Sequence, residues 1–75
     1  MSFVTKILET VEKQVRDSSV NQNSLYVGDR IITIEDADND SVFRVMITDG
    51  WTFPKVIRDV FATDLFDTIM KGVKQ

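Results

Sequence analysis

The chain of 75 residues contains neither cysteine nor histidine. The first absence excludes disulfides, a thiolate nucleophile and any cysteine-based zinc or iron–sulfur centre. The second removes the commonest general base and the commonest transition-metal ligand. Proline occurs once and glycine three times, which argues against a disordered linker and against a glycine-rich phosphate loop. No apolar run exceeds three residues, as in Val45-Met46-Ile47, whereas a membrane-spanning helix needs about 20. The start, Met1-Ser2-Phe3-Val4-Thr5-Lys6, lacks the basic-then-apolar layout of a signal peptide. The expectation is a cytoplasmic protein with no membrane contact.

What is present is a hydrophobic share of 43% and a charged share of 28%, the balance of a globular chain near the lower size limit for one unaided core. The net charge of −3 is unevenly placed. Residues 1–24 are neutral, residues 25–50 hold two cations against six anions for −4, and residues 51–75 carry +1. The acidity belongs to the middle third.

Phe3, Val4, Ile7, Leu8, Val11 and Val15 recur at steps of three and four, which predicts an amphipathic helix over residues 3–17. Ser2 is placed to cap it, and Glu9–Lys13 and Glu12–Arg16 are favourably ordered pairs on its solvated face. The polar run 18–24 reads as a loop. Period two then takes over. Leu25-Tyr26-Val27 reads as a strand leading into a two-residue turn at Gly28-Asp29. Strands over 30–36 and 41–48 follow, joined by the turn-forming Asp36-Ala37-Asp38-Asn39-Asp40-Ser41. A four-residue loop between Asp36 and Ser41 would set Ile34 opposite Phe43 and Ile32 opposite Val45. Asp49-Gly50 is a second turn pair, and Pro54 confines any strand at Trp51–Phe53 to an edge. Val56, Ile57, Val60, Phe61, Leu65, Ile69 and Val73 fit a helical stripe, predicting a helix over 54–72 with a break near 62–64. Gly72 with Lys74 reads as its stop. The expected fold is a single α+β domain in α-β-β-β-α order. It has a three-stranded antiparallel sheet with both helices on one face.

Asp36, Asp38 and Asp40 alternate like the opening of a calcium-binding loop. That loop needs glycine at its sixth position and a bidentate glutamate at its twelfth, where this chain has Ser41 and Ile47. Turn chemistry accounts for the aspartates, and no metal or other cofactor is expected. Hydroxyl side chains lack an imidazole to activate them, so no catalytic residue is assigned and no enzyme is expected.

Protein recognition is the class that remains. The outer sheet face would show Ile31, Val42 and Met46 beside Thr33, Glu35 and Arg44, too apolar for a face meant only for water. The hairpin aspartates would steer toward a partner with a basic surface. The candidate partner-binding residues are Glu35, Asp36, Asp38, Asp40, Arg44 and Met46, with self-association through the face or an edge strand as a companion reading. In size and charge the chain is similar to phage-encoded proteins that inhibit host enzymes, some anti-CRISPR proteins among them. That resemblance implies inhibition by surface occlusion or nucleic-acid mimicry. The predicted element order also resembles that of double-stranded-RNA-binding domains. The weaker, nucleic-acid reading would use Trp51, Phe53, Lys55 and Arg58, although a single lysine stands where such domains place a basic cluster.

Overall fold

The computed structural model describes residues 3–36, 41–49 and 56–74. Helix α1 spans Phe3–Gln14. Five strands follow: β1 Ser18–Asn21, β2 Ser24–Val27, β3 Arg30–Asp36, β4 Val42–Thr48 and β5 Val56–Phe61. A 3-10 turn over Ala62–Asp64 leads into helix α2, Leu65–Lys74. The strands form one antiparallel meander in chain order, β1-β2-β3-β4-β5. Among the described residues no helix is long and apolar enough to cross a membrane.

Each hairpin has a local cause. Gly28 adopts φ +57° between Val27 and Arg30, the left-handed conformation that a tight two-residue turn needs and glycine tolerates. This is the turn read from the sequence. The β1–β2 hairpin is a correction, because the run 18–24 is strand and turn rather than loop. Asp17 and Gln22 take φ 58° and 57°. The first reverses the chain after α1, and the second lies in the two-residue turn between the paired Asn21 and Ser24. Val20 is the run's one apolar residue, so no period could announce the strand. Its place is fixed by Leu25, its partner in register.

The β3–β4 register is also corrected. Ile34 pairs with Val45, Ile32 with Ile47, and Glu35 directly with Arg44, a shift of two residues from the expected pairing. An even shift keeps every side chain on its own face, so apolar alternation is blind to it. The largest correction concerns 54–72. Its first half is β5, and only Leu65–Lys74 is α-helix. Val56, Ile57, Val60 and Phe61 satisfy a helical stripe, but three of the four are β-branched and suit a pleated strand equally well. The expected break at 62–64 coincides with the 3-10 turn. The sheet therefore has five strands in place of three. Helix α1 is also shorter than expected, ending at Gln14.

The core lies on one side of the sheet. Val4, Leu8 and Val11 of α1 and Leu65 and Ile69 of α2 are buried with Leu25, Ile32, Ile34, Phe43 and Val45. Gly72 is inside α2, not after it, and is buried. A Cβ there would come within 2.8 Å of Ile47 Cδ1, so the missing side chain lets the helix approach the sheet. Arg30 reaches across from β3 and donates Nη1 to the carbonyls of Gly72 at 2.9 Å and Val73 at 3.4 Å. A cation thus meets the carbonyl end of the helix dipole.

Candidate functional site: the outer sheet face

Because both helices contribute to the core on one side, the opposite side chains face away from it. In register, that outer face has three rows. The first runs Ser19, Tyr26, Ile31, Thr48; the second Asn21, Ser24, Thr33, Met46, Ile57; the third Glu35, Arg44, Asp59. Val42 and Phe61 pair beyond the third row. Tyr26 is 40% exposed, and Ile57 and Phe61 are each 62% exposed. These large apolar groups are left in water by the layer arrangement itself.

The polar members hold one another in place. Ser24 Oγ and Thr33 Oγ1 share a hydrogen bond of 3.2 Å. Arg44 Nε donates to Asp59 Oδ1 at 3.1 Å, with the two side chains 46% and 51% exposed. At that exposure the pair contributes about 0–1 kcal/mol, so it orients the row more than it stabilises the fold.

Glu35 and Asp36 also border a depression at the end of β3, lined with Phe3, Val4, Asn23, Ile34 and Phe43 and about 530 Å³ in volume. The rings of Phe3 and Phe43 lie 5.6 Å apart, tilted by 32°. Asn23 Nδ2 is committed to the Ile34 carbonyl at 3.0 Å. Two carboxylates thus stand beside two aromatic rings at this end of the sheet.

Of the candidate partner-binding residues, Glu35, Arg44 and Met46 meet on the outer face, and Asp36 ends β3 beside the depression. Asp38 and Asp40 lie outside the described residues, as do Trp51, Phe53, Lys55, Pro54 and the Gly50 half of the Asp49-Gly50 turn. Arg58 is exposed on β5, in register with Val45 and away from the outer face. Among the described residues no three of aspartate, glutamate, histidine and cysteine gather closely enough to hold a metal. Sequence reasoning missed Ile57 and Phe61, which it placed on a buried helical stripe; their β-branched neighbourhood was the signal available. Comparison with known proteins returns no match: no family model, no curated protein and no solved structure is significantly similar to the chain.

Proposed function

We propose that this chain is a small non-enzymatic protein-binding module that regulates or inhibits its partner by covering part of that partner's surface. The observation that carries the reading is the outer sheet face, which neither described helix covers and where Tyr26, Ile57 and Phe61 stand exposed around Met46 and the Glu35–Arg44–Asp59 row. An aromatic and aliphatic centre with a charged rim is the usual anatomy of a recognition patch. Glu35 and Asp59 outnumber Arg44 in that row, which favours a partner with a basic surface. The nucleic-acid reading has less support. Five strands in place of three remove the likeness of element order to double-stranded-RNA-binding domains.

A photo-crosslinking amino acid placed at Thr33, in the middle of the outer face, tests this directly in the cell of origin. One discrete adduct should form there, and none from Lys13 on the polar side of α1. Met46→Glu should abolish the adduct while the thermal unfolding midpoint stays within a few degrees. Equal adducts from both positions would refute the assignment of the face.

A further inference from the structure

We propose that the chain forms a two-fold dimer by antiparallel pairing of β5 with β5 of a second copy, centred on Asp59, so that two five-stranded sheets become one. The inference comes from the hydrogen-bonding groups of the two sheet edges. Ala62 N donates to the Ser41 carbonyl at 2.9 Å, one step beyond the Val42–Phe61 pair. Antiparallel ladders alternate residues that bond inward with residues that bond outward. Val60, Arg58 and Val56 therefore direct their backbone groups at β4, and Ile57, Asp59 and Phe61 direct theirs at the free edge. Among the described residues nothing runs beyond β5, and none caps these three N–H and three C=O groups.

The opposite edge is treated differently. Asn21 pairs with Ser24 around a two-residue turn, so Asn21 and Ser19 bond inward and Val20 bonds outward. The outward amide of Val20 is taken by Glu12 Oε2 of α1 at 3.0 Å. The β1 edge is also short, at four residues with three of them polar. A short polar edge capped by a charged side chain is a guard against strand addition, whereas a longer edge flanked by apolar side chains invites it.

The occupant follows from self-complementarity. A two-fold axis perpendicular to the sheet maps each face onto itself, so only residues of one face can sit opposite each other. Centring the axis on Asp59 sets Ile57 against Phe61 of the partner subunit and Phe61 against the partner's Ile57. Asp59 then faces Asp59 of the partner subunit. All six outward groups of each copy find partners, and two apolar pairs form on the outer face. A shift to Arg58 would oppose two arginines and face Ile57 with an aspartate, and a shift to Val60 would set Phe61 against an aspartate. The two facing carboxylates are each already bonded to Arg44 of their own copy, which leaves a residual like-charge contact at the axis. The dimer does not rest on the docking reading, since it needs the backbone edge of β5 rather than Tyr26 or Met46.

Sedimentation of the whole chain should give twice 8.6 kDa at high concentration, with dissociation on dilution. Phe61 has φ −72°, ψ 152°, which proline adopts, and its N–H points away from β4. Phe61→Pro should therefore keep the fold and sediment as a monomer. Ile57→Lys gives a second monomeric variant should the proline disturb folding. Asp59→Asn should tighten association several-fold by relieving the contact at the axis. Opposed residues of a bonded antiparallel pair lie about 5.5 Å apart at Cα, within disulfide range. In this cysteine-free chain, Asp59→Cys should therefore oxidise to a covalent dimer and Ser19→Cys should not. Tyr26→Asp should lose partner adducts yet still dimerise, which separates the two readings. A wild-type chain that stays monomeric up to about 1 mM, which corresponds to about −4 kcal/mol of association, overturns the proposal. So does an Asp59→Cys variant that crosslinks no better than the Ser19→Cys control.

Discussion

The two edges of this sheet solve one physical problem in opposite ways. At β1 the chain covers an unpaired amide with Glu12, holds Ser18 Oγ to the Val15 carbonyl at 2.8 Å, and ties Thr5 Oγ1 to the Gln22 carbonyl at 3.1 Å. At β5 the described residues leave the backbone edge open and set Ile57 and Phe61 beside it. The lesson is that edge protection here is local and comes from α1, which packs on β1 and β2. Burial is concentrated where α1 and α2 cover one side of the sheet, while among the described residues the outer backbone edge of β5 stays open.

Four perturbations would break or sharpen that contrast. The largest effect is expected at Leu25, which is fully buried beneath α1. Leu25→Ala should cost about 2–5 kcal/mol in urea unfolding, enough to unfold much of a domain this small. Next comes the guard itself. Glu12→Ala removes a charge-assisted, partly buried hydrogen bond from Val20 and should cost about 1–2 kcal/mol. Hydrogen exchange at the Val20 amide should speed up with it, and unchanged exchange would show that the edge is protected by other means. Phe61→Ala, at 62% exposure, should move monomer stability by no more than about 0.5 kcal/mol. A loss approaching that of Leu25→Ala would show that β5 is part of the core. The smallest effect is expected from Arg44→Ala, which breaks an exposed ion pair and should shift unfolding by a few tenths of a kcal/mol, less at high salt.

Much of the inner architecture was legible from residue pattern. Val4, Leu8 and Val11 recur at helical spacing and are buried in α1, and Ile32, Ile34, Phe43 and Val45 alternate as they do in β3 and β4. Gly28 marked its turn because a left-handed residue is needed there. The candidate face was partly legible too, since Arg44 and Met46 were placed outward by alternation alone. Its most exposed members were not. Ile57 and Phe61 sit in a six-residue segment, VIRDVF, whose apolar spacing fits a helix as well as a strand. Short segments of that kind are settled by the neighbour they pair with, here β4.

By itself the sequence determined the inward positions of α1, β3 and β4, a helix towards each end of the chain, the β2–β3 turn and which residues of β3 and β4 share a face. Those follow from local sterics and from the two side-chain periods, which neighbouring residues enforce on each other. Only the tertiary structure decided the strand count, the β3–β4 register and which edge is guarded. A strand without alternation, a register shifted by two and an amide capped by a side chain eight residues earlier all depend on contacts between elements. Local periodicity carries no record of such contacts.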